Sequence, residues 1–251
     1  MGLMDLFSKE GRQQRSLHKN IGKAANKKIK PDDRRPALYA LVEDGSDEAV
    51  LGLLKRFTYI YDTNMVMDEE EKKYVYEALV SMGDRILPPV RQHLKTSPTL
   101  SWGLRLVNDL CDHETVWSVL EELLQEFEPG YERDPSRKDQ LMTFLGDFAD
   151  ERSVKALIPY LEDDDEGVRF TTVESLFRQG DEAAREPLLA LLTEEDEESL
   201  RIKHRIVEGL AEQRWTVKGF RGTVEKLVAA HMPEFAVDGK GRIKRKKARR
   251  D

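Results

Sequence analysis

Residues 150–192 read DERSVKALIPYLEDDDEGVRFTTVESLFRQGDEAAREPLLALL. The stretch predicts a helix, an acidic loop, a second helix, a Gly-Asp turn and a third helix. The apolar residues of its first helix stand at i, i+3, i+4 and i+7, and they are Val154, Leu157, Ile158 and Leu161. This spacing places all four on one face of the helix, which has to pack on neighbouring helices to be buried.

The same apolar phase recurs along most of the chain. The six occurrences start at Val50, Leu87, Val116, Val154, Arg185 and Val217, and Arg185 stands where the others have an apolar residue. Successive starts are 37, 29, 38, 31 and 32 residues apart. Steps of this size are typical of arrays in which each repeat is a pair of helices. The sequence therefore predicts an all-α solenoid of about six helix pairs.

Three segments are predicted: a basic N-terminal arm at residues 1–31, the solenoid at residues 32–232, and a basic C-terminal tail at residues 233–251. The tail is expected to be disordered because it contains too few apolar residues to fold. A connector at residues 127–136 contains two prolines and a glycine, and it is the predicted bend between two halves of the array. The six predicted helix pairs are 34–42 with 47–57, 69–82 with 85–95, 100–110 with 114–125, 138–148 with 152–161, 167–179 with 182–192, and 199–213 with 216–230.

Charge is strongly segregated along the chain. Residues 1–35 carry ten Lys/Arg and four Asp/Glu, and residues 238–251 carry eight and two, so each end has a net charge of +6. The total of −7 then leaves −19 for residues 36–237. An acidic body disfavours nucleic acid or an anionic membrane as a ligand of the solenoid itself, so any polyanion contact is expected at the basic ends.

The single cysteine, Cys111, cannot form an intramolecular disulfide, which favours a reducing compartment. No apolar run approaches the roughly 18 residues that span a bilayer. The first residues also lack the apolar core of a secretory signal. The sequence therefore predicts a cytoplasmic protein, and it leaves the oligomeric state open.

One repeat carries a recognisable motif. Residues 165–169 read DEGVR, residues 179–181 read QGD, and Ala184 and Leu188 follow. This pattern resembles a HEAT repeat, and more closely the short HEAT-like repeats named after phycobilisome lyases. In that family an acidic residue precedes a Val-Arg pair, and a Gly-Asp or Gly-Asn turn leads to the second helix. The resemblance implies a curved, right-handed α-solenoid whose second helices line the concave side.

Several enzymes resemble this fold, and none of their sites can be recognised here. Deoxyhypusine hydroxylase binds iron through repeated His-Glu pairs, whereas this chain has one such pair, His113-Glu114, which predicts a helix N-terminus instead. HEAT-like DNA glycosylases hold DNA in a basic groove, which a body of charge −19 disfavours. Nothing marks a tetrapyrrole site like that of the bilin lyases. The sequence therefore predicts a non-enzymatic protein without a cofactor or metal.

The first functional hypothesis is a scaffold that binds a protein or peptide partner on the concave face. Three residues of the second helices stand out of phase with the core and are predicted to contact the partner: Trp117, Lys155 and Tyr160. Partial burial between neighbouring helices is the alternative for the two aromatic residues. The acidic body favours a partner with a basic segment.

The alternative function is a nucleic-acid-associated adaptor, in which the C-terminal tail holds phosphate groups without sequence preference. The residues predicted to make these contacts are Lys240, Arg242, Lys244, Arg245, Lys246, Lys247, Arg249 and Arg250. A third hypothesis places the basic ends on an anionic membrane.

Two loop segments complete the predictions. The acidic runs at residues 163–166 and 194–198 predict a solvated rim, with a docking surface for a basic partner as the alternative. The segment at residues 58–68 contains Tyr59 and Tyr61, and we expect it to pack on the array, with an aromatic contact surface as the alternative.

Overall fold

A computed structural model describes residues 9–61 and 63–246 of the chain. This part contains thirteen α-helices and one two-stranded antiparallel sheet, so the predicted all-α class is confirmed. The chain divides into two compact units, of which unit 1 ends at Leu123 and unit 2 begins at Leu124. The division lies just before the connector at residues 127–136.

The helices follow one another with short connections. In order from the N-terminal side, the first seven are α1 (Lys9–Ala24), α2 (Pro31–Asp44), α3 (Asp47–Leu54), α4 (Met65–Ser81), α5 (Leu87–Thr96), α6 (Ser101–Leu110) and α7 (His113–Glu126). The remaining elements are α8 (Ser136–Asp147), α9 (Glu151–Leu157), α10 (Glu166–Gln179), α11 (Arg185–Thr193), α12 (Leu200–Gln213), α13 (Arg221–His231), β1 (Phe235–Val237) and β2 (Ile243–Arg245).

All six predicted helix pairs are present, from α2 with α3 to α12 with α13. The apolar phase that predicted them is buried, as Val50, Val116 and Val154 show. Like helices of successive repeats pack on each other, α2 on α4 and α4 on α6 in unit 1, and α8 on α10 and α10 on α12 in unit 2. This stacking within each unit is the arrangement of an α-solenoid.

The N-terminal arm is helical from Lys9 to Ala24 and forms α1, which packs on α2 and α3. Leu17 and Ala24 are buried against them, so the described part of the arm covers the apolar side of the first repeat. Residues 1–8 lie outside the described residues.

A buried ion pair joins two repeats of unit 2. Lys138 on α8 and Asp163, which precedes α10, are both buried, and Lys138 Nζ lies 2.8 Å from Asp163 Oδ2. Both side chains also hold the connector: Lys138 Nζ donates to the carbonyl of Gly130 at 2.7 Å, and Asp163 accepts from the Gly130 backbone N–H at 3.1 Å. The same pair therefore fixes the repeat stacking and the loop.

The next repeat carries an equivalent pair. Arg169 on α10 donates from Nε to Glu197 at 2.8 Å, and Glu197, which precedes α12, is buried. Burial acts to raise the pKa of Glu197, but the hydrogen bonds from Arg169 and from the Ser199 backbone outweigh it and lower the pKa. Glu197 is thus held as a carboxylate.

The prediction that the acidic runs at residues 163–166 and 194–198 form a solvated rim holds for most of their residues, since Asp164, Glu194, Glu195, Asp196 and Glu198 are exposed, but it is wrong for Asp163 and Glu197. Asp163 and Glu197 are buried partners of cations from the preceding repeat, and Asp165 accepts from Val168 N–H as the N-cap of α10. Sequence alone could not show this, because Lys138 and Arg169 lie 25 and 28 residues upstream of their carboxylate partners, one repeat earlier.

Unit 1 has a larger buried network. Arg34 on α2 and Arg56 after α3 each donate from Nε to Glu71 on α4 at 2.9 Å, and Arg56 also reaches Asp68 at 2.7 Å. Burial acts to raise the pKa of Asp68, but hydrogen bonds from Lys72, Arg56 and the Tyr61 backbone lower it below its ordinary value. The network joins the first two repeats.

The segment at residues 58–68 packs on this network, as expected. The guanidinium carbon of Arg56 lies 4.7 Å from the centre of the Tyr59 ring, and that of Arg34 lies 5.3 Å from the centre of the Tyr61 ring. The Tyr59 hydroxyl donates to the Ala24 carbonyl at 2.6 Å, which ties the segment to the end of α1.

The C-terminal tail differs from its prediction, because residues 235–245 form a hairpin instead of a disordered chain. Antiparallel β1 and β2 pair Phe235 with Arg245 and Val237 with Ile243, and β1 packs on α13 while β2 packs on α12. Phe235 and Ile243 are buried. The signal missed in the sequence is the Asp-Gly pair at residues 238–239, a turn sequence that directly follows the apolar residues 235–237.

The hairpin also changes the last helix pair. The sequence predicted its second helix from residue 216, but α13 begins at Arg221. Val217 is buried in a loop, and its backbone N–H donates to the Gly241 carbonyl at 2.8 Å. Val217 therefore contacts the hairpin turn and does not belong to the apolar face of a helix.

Two truncations test whether the hairpin belongs to the fold. A chain ending at residue 233 loses Phe235 and Ile243, and we expect its free energy of unfolding to fall by about 3 kcal/mol or more, since burying each of these side chains stabilises by roughly 1.5–3 kcal/mol. A chain ending at residue 246 is the control and should unfold like the full chain. Urea titration followed by circular dichroism measures both. Equal stability of the two truncated chains would show that the hairpin contributes nothing.

Candidate interaction surfaces

Two of the three predicted partner contacts are covered. Trp117 on α7 is 7% exposed and donates from Nε1 to Glu121 at 2.6 Å. Tyr160 is 3% exposed, and its hydroxyl donates to the Phe127 carbonyl at 2.7 Å, while burial raises its pKa. Lys155 on α9 is exposed. The structure therefore corrects the prediction for the two aromatic residues: Trp117 packs within its repeat, and Tyr160 fixes the connector.

The predicted polyanion contacts divide into three groups, of which the first is Lys240 and Arg242, both exposed in the hairpin turn. Three cations of the hairpin have internal partners: Lys244 Nζ lies 2.8 Å from Asp238, Arg245 Nη2 lies 4.0 Å from Glu208, and Lys246 Nζ donates to the Pro233 carbonyl. Hydrogen bonds from Lys244 and from the backbone of the turn lower the pKa of Asp238 to about 2. Lys247, Arg249 and Arg250 lie outside the described residues.

A cleft of about 590 Å³ lies between the end of α12 and the hairpin, entirely within unit 2. Its charged lining consists of the carboxylates Glu208 and Glu212 and the cations Arg214, Arg242, Lys244 and Arg245. The lining therefore carries four positive charges and two negative charges. Glu212 lies 3.4 Å from Arg205, and Glu208 lies 3.6 Å from His204, so both carboxylates also have neighbours outside the lining.

Arg214 and Arg242 are the two exposed cations of this cleft that have no partner among the residues that the structure describes. Neither guanidinium makes a hydrogen bond or an ion pair with any residue within 9–61 or 63–246. Arg242 was among the residues predicted from the sequence, but Arg214 was not, because it belongs to the helical repeats and not to the basic tail. The cleft forms only when the hairpin is folded against α12, so the sequence alone does not predict it.

The backbone of Arg214 is left-handed, with φ +58°, and it is the one non-glycine residue of the described chain with positive φ. It caps the C-terminal end of α12, where α2 and α10 have the glycines Gly45 and Gly180, at φ +60° and +68°. A left-handed conformation costs residues with a Cβ atom about 1–2 kcal/mol. An arginine at a position that favours glycine is therefore unfavourable for the fold and points to another role for its side chain.

A glycine exchange measures this cost. Arg214→Gly should raise the free energy of unfolding by about 1 kcal/mol, because glycine adopts the left-handed backbone without strain. The reciprocal change Gly180→Arg is the matched control: a Cβ there has ordinary space, so φ +68° alone should lower stability by a similar amount. Thermal unfolding measures both, and a destabilised Arg214→Gly would contradict the account.

Unit 1 presents a second surface, on α2 and α4. The rings of Tyr39 and Tyr74 meet edge to face with centroids 4.9 Å apart, and Arg35 lies 3.3 Å from Glu70. Residues 35 and 39 are four apart and therefore share one face of α2. Residues 66, 70 and 74 likewise share one face of α4, so the two helices present two stripes of side chains next to each other. We call Arg35, Tyr39, Val66, Glu70 and Tyr74 the tyrosine face. Tyr39 is 52% exposed and Val66 is 65% exposed.

The surroundings of the tyrosine face are acidic. Together α2 and α4 contain nine Asp/Glu and four Lys/Arg, which gives a net charge of −5. Glu43 and Glu77 continue the two stripes and are exposed. The face therefore combines exposed apolar and aromatic groups with a negative potential. The sequence analysis did not predict the tyrosine face, because the partner contacts were expected on the second helix of each repeat, whereas α2 and α4 are first helices.

Comparison with known proteins identifies the repeats of one region. A family model for HEAT repeats matches residues 120–211. The match covers four consecutive helices, α8 to α11, together with most of α12. A search of curated proteins found no match to the chain. Within the described residues, no helix is long and apolar enough to cross a membrane.

Proposed function

We propose that this protein, which carries HEAT repeats at residues 120–211, is a non-enzymatic scaffold that binds a protein partner through the tyrosine face. HEAT repeats are typical of protein-interaction scaffolds. The observation that carries the proposal is the contact between the exposed ring of Tyr39 and the half-buried ring of Tyr74, with the exposed Val66 on the same stripe of α4 as Tyr74. Exposed tyrosines are common energetic anchors of protein interfaces, since they bury a large area at a low cost in conformational entropy.

The chemistry of the face defines the partner. The net charge of −5 on α2 and α4 favours a segment with Lys or Arg residues, and the Tyr39 ring favours an apolar or aromatic side chain beside them. The partner is therefore a protein with a basic segment that presents an apolar side chain. A reducing compartment such as the cytoplasm stays a prediction from the single cysteine.

Two substitutions on the face test the proposal. The protein is immobilised and incubated with nuclease-treated cell extract, and retained proteins are quantified by mass spectrometry. Tyr39→Ala and Val66→Asp should each reduce recovery of the same partner protein about tenfold or more. The reason is that loss of an anchor residue weakens the binding free energy of an interface by roughly 2 kcal/mol or more. Recovery should also fall as salt rises, because the partner is basic.

The matched control is Tyr131→Ala, which removes an equally large side chain that is 83% exposed in unit 2. It should retain the partner like the unchanged protein. Equal losses from all three variants, or no loss from Tyr39→Ala and Val66→Asp, would overturn the proposal. Light scattering of the purified variants tests whether the face instead binds a second copy of this chain. In that case Tyr39→Ala would halve the molar mass of the free protein.

A further inference from the structure

The cleft between α12 and the hairpin has a composition that the scaffold proposal does not use. Its charged lining has a net charge of +2, from four cations and two carboxylates, within a body that is strongly acidic. Two of the cations, Arg214 and Arg242, have no internal partner among the described residues. Two guanidinium groups in one cleft form a donor set that matches the oxygens of one anionic group.

We infer that this cleft binds a phosphorylated side chain of a peptide, held by the guanidinium groups of Arg214 and Arg242. A phosphate monoester carries about −1.5 to −2 charges near neutral pH, which matches the net charge of the lining. It presents three acceptor oxygens, enough for both arginines, whereas a carboxylate has two. The volume of about 590 Å³ is in the range of small-ligand sites.

The left-handed backbone of Arg214 supports a binding role independently of charge. The equivalent positions after α2 and α10 are glycines, and among the helices of the described chain only α12 ends in a residue with a Cβ at positive φ. A glycine at position 214 would satisfy the fold equally well or better. The arginine adds a side chain in the cleft, and the structure gives that side chain no partner within the described residues.

A single phosphate fits the cleft better than a nucleic acid strand does. Lys244, Arg245 and Lys246 already have internal partners, so an extended phosphate backbone would find few unpaired cations on the described hairpin. Glu208 and Glu212 line the same cleft and would repel the phosphates on either side of the one that is bound. The inference concerns unit 2 alone and stands whether or not the tyrosine face binds a protein.

The test uses the full chain and two fluorescent peptide libraries, one with phosphoserine and one with serine at the centre of otherwise random five-residue sequences. Fluorescence anisotropy should show about tenfold tighter binding of the phosphoserine library, because charge-assisted contacts form only with the phosphate. Arg214→Gly and Arg242→Gln should each weaken that binding about tenfold, and inorganic phosphate should compete for the site.

Arg133→Gln is the matched control, since Arg133 is an exposed arginine of unit 2 outside the cleft. It should bind like the unchanged protein. Arg214→Gly distinguishes binding from folding, because the same change is expected to leave the protein as stable as before or more so. A loss of binding with intact thermal unfolding would support the site.

Three results would overturn the inference. The first is equal binding of the two libraries, and the second is equal behaviour of Arg214→Gly and Arg133→Gln. The third is tight, Arg214-dependent binding of a fifteen-nucleotide poly-dT strand or of phosphatidylserine vesicles without preference for the phosphoserine library. That outcome would assign the cleft to nucleic acid or to lipid headgroups.

Discussion

The stacking of the repeats depends on buried ion pairs between one repeat and the next. Lys138 pairs with Asp163 and Arg169 pairs with Glu197 in unit 2, and Arg34 pairs with Glu71 in unit 1. In each case the cation lies on the first helix of one repeat, and the carboxylate lies at or just before the first helix of the following one. An apolar face alone allows neighbouring helices to slide, whereas an unpaired buried charge is strongly unfavourable, so these pairs fix the register. The connector at residues 127–136 is held by the same means.

This arrangement explains how an acidic chain folds into a stack. Carboxylates that would repel one another on a surface are placed opposite cations that come from one repeat earlier, and some of them also cap helix N-termini, as Asp165 does for α10. Many of the remaining acids are exposed, among them Glu43 and Glu77 beside the tyrosine face and Glu194 and Glu195 before α12. Among the described residues, Arg214 and Arg242 of the cleft beside the hairpin are two exposed cations without an internal partner. The buried pairs hold the repeats together, whereas the exposed charges include an acidic set beside the tyrosine face and a net positive set in the cleft beside the hairpin.

Much of the fold could be predicted from the sequence, because helix pairs leave a strong periodic signal. The apolar phase at Val50, Val116 and Val154 located the repeats, and Gly180 located the turn between α10 and α11. The hairpin was missed because its two buried side chains, Phe235 and Ile243, are too far apart in a cationic sequence to be counted as an apolar segment. The interaction surfaces were largely missed for a related reason. Trp117 and Tyr160 were chosen by residue type, whereas exposure depends on how the helices stack. Arg214 and Arg242 line one cleft only when the hairpin is folded against α12.

The most direct test of the account is a double-mutant cycle on Lys138 and Asp163, measured by urea denaturation. Lys138→Met and Asp163→Leu should each destabilise the protein by about 3 kcal/mol, because each leaves one charge buried and unpaired, and the double variant should recover most of that loss. The reference cycle is on Arg178 and Asp147, a pair between α10 and α8 whose side chains are exposed, and it should give a coupling energy below about 1 kcal/mol. If both cycles gave the same small coupling energy, the buried pairs would not fix the stacking, and apolar contact alone would have to account for it.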